Sequence, residues 1–200
     1  RPRSAMPYLC ALLAMLGAAV FAISCMPVPV PWVGTCSHPC GTGLAAIVVG
    51  PLFAVLLTAV ALLLQALFLA HGGLTTLGAD IISMGVAGGF AGYCVFHAAR
   101  RAGLSLFAAA FLAGVLSDWA TYATTALELA LGLGQPGSRA ALFGQVSLAF
   151  APTQLPLGVL EGVLTGGALQ FVHRHRPALL GRLGAMRAVP TAPPRGAADA

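Results

Sequence analysis

Long apolar runs separated by short polar joints set the pattern of this chain. The runs cover residues 8–26, 41–70, 74–98, 104–131 and 142–171. A membrane-spanning helix needs about 20 mostly apolar residues, so each run is a candidate span. In the first, Ala11, Ala14, Ala18 and Ala22 recur near one face, where small residues let helices approach closely in lipid. Pro27, Pro29 and Pro31 then end the helix, because each lacks an N–H and restricts the residue before it. Trp32 fits an interfacial anchor. The second run carries no charge and is too long for one upright crossing yet short for two. Gly50-Pro51 divides it, which predicts a short arm over residues 42–49 and a full span over residues 52–69. Backbone broken inside a membrane survives only where protein or a cavity covers it, and such breaks lie beside binding sites. The third run has Gly85, Gly88, Gly89 and Gly92, a packed face at helical spacing. The fourth carries Asp118 near its middle and Glu128 near its end. The fifth contains Pro152, Pro156 and Glu161. The pattern predicts an all-α, polytopic membrane helical bundle of five to six hydrophobic segments, one broken at Gly50-Pro51, over residues 1–172. Residues 173–200 are basic and then rich in Pro and Ala, which predicts a disordered cytoplasmic tail.

Composition agrees. Of the 200 residues, 58% are hydrophobic and 8% charged, whereas soluble domains carry about 25% charged residues. The net charge of +5 comes from arginines without a single lysine. They gather at Arg1 and Arg3, at Arg100 and Arg101, and from Arg174 to Arg187, as cytoplasmic flanks of membrane helices do. This pattern points to a lipid bilayer and not to nucleic acid. If all three basic segments are cytoplasmic, residues 41–70 must count as two crossings, and His38 and His71 both fall on the outer side. The arm is the weak part of that count, since eight to ten helical residues rise only roughly 12–15 Å. A chain that opens on Arg1 is expected to be a fragment or a processed product.

Candidate chemistry concentrates at two histidines. His38 lies in Cys36-Ser37-His38-Pro39-Cys40-Gly41, a loop where Pro and Gly constrain the backbone. Imidazole is a common transition-metal ligand. The residues alone leave three readings: a metal ligand, a loop histidine without a ligand, or a thiolate site with Cys36 and Cys40 binding Zn2+ or Cu+. The spacing in that third reading is not a standard structural zinc arrangement. His71, in His71-Gly72-Gly73, is a ligand, a residue that orients a ligand, or a polar residue at the interface. Cys10, Cys25 and Cys94 sit in apolar runs and read as small core residues; five cysteines define no disulfide framework. Asp118 and Glu161 are ionisable groups inside spans, where they are costly and face the protein interior. Thr121, Thr153 or Gln154 are their expected partners, and a cation path is the other reading. The sequence has no phosphate-binding loop and no H-E-x-x-H or G-x-S-x-G motif. It is therefore read as no enzyme, and any ATP-driven step belongs to a partner.

The run G-T-C-S-H-P-C-G-T-G-L-A-A-I-V-V-G-P, followed by L-L-L-Q-A-L-F-L-A-H-G-G-L-T-T-L-G-A-D-I-I-S-M-G-V-A-G, resembles the CbiM/NikM family. Further matches are L-S-D-W-A-T-Y at Leu116–Tyr122 and P-T-Q-L-P-L-G-V-L-E-G-V-L-T at Pro152–Thr165. The resemblance implies the substrate-binding membrane subunit of an energy-coupling factor (ECF) transporter. Such a subunit takes up Co2+ or Ni2+ into bacteria, with cobalt feeding cobalamin biosynthesis. It implies a bacterial plasma-membrane location, a cytoplasmic C-terminus, no cofactor beyond the transported ion, and contact with membrane lipid. The implied partners are a CbiQ-like coupling subunit, a CbiO-like ATPase and a small CbiN-like subunit. His38 falls on the family's metal-binding loop histidine, and His71 on a position beside the site. The family's Met-His start and the helix after it are missing, so His38 alone would bind weakly. Two alternatives stand beside transport: a CbiM-like scaffold that has lost metal binding, and a membrane enzyme using Cys36, His38 and Cys40.

Overall fold

A computed structural model describes residues 6–30, 35–69 and 72–175. Helix α1 spans Met6–Ser24. A small antiparallel hairpin follows, β1 Val28–Val30 with β2 Thr35–Ser37, with Val28 opposite Ser37 and Val30 opposite Thr35. The spacing of prolines correctly ends α1, but the segment then pairs as a ribbon. Pro29 fits there because a two-stranded ribbon has only edge strands, which tolerate a missing N–H. Helix α2 spans Thr42–Val49 and α3 spans Pro51–Phe68. Gly50 between them has φ 92, a conformation that favours glycine, and Pro51 opens α3 where its missing N–H costs nothing. The break expected at Gly50-Pro51 is therefore present. Helix α4 runs Leu77–Arg101, with a π-helical stretch over Ile81–Gly88. Helix α5 spans Leu106–Leu133 and begins at Ser105, whose hydroxyl accepts the Ala108 N–H. Helix α6 spans Arg139–His175 and continues through Pro152 and Pro156.

Four helices, α3 to α6, are long and apolar enough to cross a membrane, and Leu9–Ser24 adds a shorter apolar helix. With the α2 arm, this is the expected helical membrane bundle. On α3 the buried residues are Ala54, Thr58, Ala61, Leu62 and Gln65, spaced as one helical face. Leu52, Leu56, Val60 and Leu67 cover the other side and are exposed, as suits a bilayer. Lipid supplies no hydrophobic drive between helices, so close packing holds them together. A Cβ at Gly162 of α6 would lie 2.8 Å from the Phe111 carbonyl oxygen of α5. A Cβ at Gly114 of α5 would lie 2.8 Å from the Gly162 Cα. The glycine face expected on α4 is buried at all four positions, with a Cβ at Gly89 in ordinary contact with Ala54 at 3.9 Å. Gly88 abuts the Thr121 hydroxyl, a Cβ at Gly92 would meet the Gly43 Cα at 3.0 Å, and one at Gly85 would touch Thr58 at 3.4 Å.

Helix α2 is buried on nearly every side, at Thr42, Gly43, Ala45, Ala46, Ile47 and Val48. At about 12 Å for eight residues it is too short to cross a bilayer by itself. It is instead a plug inside the bundle that carries the preceding loop into the interior. Two apolar clusters fill the bundle, one around Met84, Tyr122 and Phe150, the other around Phe96, Ala113 and Leu169. Between them α5 buries Ser117, Asp118 and Thr121. Gln65, also buried, donates to the Ser24 hydroxyl at 2.6 Å and ties α3 to α1.

Candidate metal centre

The loop 38–41 joins β2 to α2 and is fixed from two helices. The Tyr122 hydroxyl of α5 accepts the His38 N–H at 2.8 Å and donates to the His38 carbonyl at 3.1 Å. Glu161 of α6 receives the Cys40 N–H at one carboxylate oxygen and the Gly41 N–H at the other, both at 2.8 Å. Gly41 has φ 68, the left-handed region, and has no side chain to cap α2. Glu161 therefore supplies from another helix the acceptors that the start of α2 needs. These charge-assisted bonds are the strong kind, worth about 1.5–3 kcal/mol each.

His38 is half-buried and lines a cavity of ≈ 280 Å³ together with Asp80, Ser83, Met84, Thr121 and Tyr122. Its Nδ1 lies 3.2 Å from the Pro39 carbonyl oxygen. A carbonyl can only accept, so this contact selects the tautomer protonated at Nδ1, with the ring lone pair on Nε2. His71 lies outside the described residues, as do Trp32 and residues 176–200. Its neighbours Gly72 and Gly73 line the cavity that His38 lines.

Cys40 is fully buried. Its sulfur groups with Asp118 and Glu161, with ligand atoms within 4.8 Å of one another, and His38 is not part of that group. Burial pushes the Cys40 thiol well above its ordinary range, and the Glu161 and Asp118 carboxylates push the same way. The side chain of Cys36 lies outside the described ones.

Of the two acids inside spans, Glu161 does not pair with Thr153 or Gln154; it holds the His38 loop. Thr121 and Thr153 donate instead to carbonyls of their own helices, those of Ser117 and Phe150. Asp118 is buried, no N–H or hydroxyl among the described residues reaches its oxygens, and its hydrogen-bonding neighbour is the Glu161 carboxyl. Sequence reading picks out His38 and includes Tyr122 only as the end of the Leu116–Tyr122 match, without a role.

Residues 3–179 match the family model CbiM, described as the cobalt uptake substrate-specific transmembrane region. A "Cobalt transport protein CbiM" from Sorangium cellulosum is 67% identical over 178 residues, covering 89% of this chain and 79% of that relative. A protein of the same name from Geobacter sulfurreducens is 60% identical over 187 residues, covering 93% of this chain and 54% of that one. A crystal structure described as a truncated transition metal transporter superposes with a TM-score of 0.76 at 27% identity, over 87% of this chain and 83% of its own.

Proposed function

We propose a capture mechanism for this chain, which belongs to the CbiM family of cobalt-uptake, substrate-specific transmembrane proteins. The chain is a membrane component of cobalt uptake. In our reading His38 is a direct ligand to Co2+ through Nε2, and His71 stands beside the ion and orients the site. The observation that carries this is the double fixation of the loop: Tyr122 grips His38 on both sides of its peptide unit, and Glu161 grips the next two N–H groups. Buried loop N–H groups need partners in any case, and these bonds in addition fix the backbone that carries the His38 ring. That matters for a metal ligand, because the residues that orient it set its affinity.

The finer features extend this reading. Ni2+ is an alternative cargo, since nitrogen ligands suit both ions. The chain has no ATPase of its own and works with CbiQ-like and CbiO-like subunits, and with a CbiN-like one, in an ECF-type transporter. The cobalt feeds cobalamin biosynthesis, the location is the bacterial plasma membrane, and the C-terminus is cytoplasmic. The bundle comprises residues 1–172 in this reading, although α6 itself continues to His175, three residues into the expected tail. The test is cobalt uptake by cells expressing the full natural protein with its partners. His38→Ala abolishes uptake and His71→Ala weakens it; equal, near-normal uptake in both variants refutes the assignment and favours a scaffold without metal binding.

A further inference from the structure

One helical turn inward from the cavity, the bundle buries carboxylates that the capture step does not use as ligands. Asp118 precedes Tyr122 by four residues on α5, about 6 Å along the helix toward the Arg100/Arg101 end. It is fully buried, as is Glu161. No N–H or hydroxyl group among the described residues reaches either Asp118 oxygen, the Glu161 carboxyl is its hydrogen-bonding neighbour, and no basic side chain among them pairs with either acid. Buried charges in proteins are paired or coordinate metals, because removing an isolated carboxylate from water is very costly. Other buried polar atoms nearby also lack partners: the Thr42 hydroxyl, close to Thr121 at Gly88, and the amide of Gln154. Thr121 lines the cavity, and these buried polar atoms lie beyond it in the middle of the bundle.

We propose that Asp118 and Glu161 form a second, inner cation site, which accepts the transported divalent metal after it leaves His38. This rests on the reading that the cargo is Co2+ or a similar ion. The separation fits. One oxygen of each carboxylate and the Cys40 sulfur lie within 4.8 Å of one another. An ion about 2.0–2.2 Å from each carboxylate oxygen joins oxygens up to about 4.4 Å apart, so closure takes a few tenths of an ångström. Glu161 keeps its two loop N–H groups while doing so, since each carboxylate oxygen has a second lone pair. The carboxylate pair is harder than the imidazole of His38. It holds the ion less tightly, as a site on the way out must. Because Glu161 also clamps residues 40 and 41, an ion arriving at the inner site pulls on the loop that carries His38.

The experiment is Co2+ titration of the purified full natural protein, with bound cobalt counted by mass spectrometry, alongside cobalt uptake in cells. The wild type binds one tight equivalent and a weaker second. Asp118→Asn keeps the tight equivalent, loses the second, and lowers maximal uptake by about tenfold with little change in half-saturation, the pattern of a step lost after binding. Asp118→Glu, which keeps the carboxylate, retains the second equivalent. His38→Ala loses the tight equivalent only. A wild type without a second equivalent, or wild-type uptake in Asp118→Asn, overturns the inner site and leaves a structural acid pair sharing one proton. A tight equivalent that survives His38→Ala overturns the capture reading instead.

Discussion

The hydroxyl of Tyr122 closes a ring with the main chain of His38, taking its N–H at 2.8 Å and returning a hydrogen bond to its carbonyl at 3.1 Å. The two residues are 84 positions apart. The contact therefore makes the orientation of a loop imidazole depend on the packing of α5. Tyr122 is itself buried and packs its ring against Phe150, with centroids 5.2 Å apart.

Tyr122→Phe keeps the ring packing and removes both bonds. Loss of a residue that orients a metal ligand costs about 10–100-fold in affinity. Competition titration with a cobalt chelator is expected to show a loss within that range. Unchanged affinity would mean that the imidazole is oriented by other contacts.

Glu161→Gln tests the second clamp. The amide retains one acceptor oxygen but turns an NH2 group toward a backbone N–H. Each lost charge-assisted bond is worth about 1.5–3 kcal/mol. Thermal unfolding in detergent is expected to shift downward, with Glu161→Ala falling further than Glu161→Gln. Equal stability of the three proteins would show that α2 does not depend on Glu161.

Helix contact predicts a matched pair of substitutions. Gly162→Val drives a side chain into the Phe111 carbonyl, where a Cβ already sits 2.8 Å away, and overpacking of this kind costs about 1–3 kcal/mol. Gly167→Val, on the same helix, meets nothing within 4 Å. The first is expected to unfold at a clearly lower temperature and the second near the wild-type value; equal effects would contradict the close contact of α5 and α6.

Cys40 gives a prediction about pH. Its raised pKa means that the reactive thiolate forms only above the ordinary thiol range. At neutral and mildly alkaline pH an alkylating reagent is expected to leave Cys40 unlabelled in the folded protein and to label it only after denaturation. Labelling of Cys40 in the native protein at neutral pH would contradict its burial among the carboxylates.

Features set by local chemistry were legible in the sequence. Gly50-Pro51 breaks the long apolar run because one residue adopts positive φ and the next has no N–H to donate. The apolar runs mark the helices because composition matches the solvent. His38 stands out because Cys, Pro and Gly surround it. The clamp on His38 was not legible, since Tyr122 and Glu161 reach the loop across 84 and about 120 residues and only topology brings them there. The hairpin was missed for a different reason. Prolines announce the end of a helix but do not disclose that the chain pairs with itself beyond it. Asp118 drew attention as a charge inside a span, yet nothing in the sequence foretells that its neighbour is the carboxyl of Glu161 on another helix.

The central claim is that a loop held from α5 and α6 presents His38 to cobalt. Its most direct test is the cobalt content of the purified full natural protein, measured by mass spectrometry for the wild type and for His38→Ala prepared side by side. The account predicts cobalt near one per protein in the wild type and its loss in His38→Ala, with both proteins folded to the same extent. Equal cobalt in the two proteins, or none in either, would contradict it.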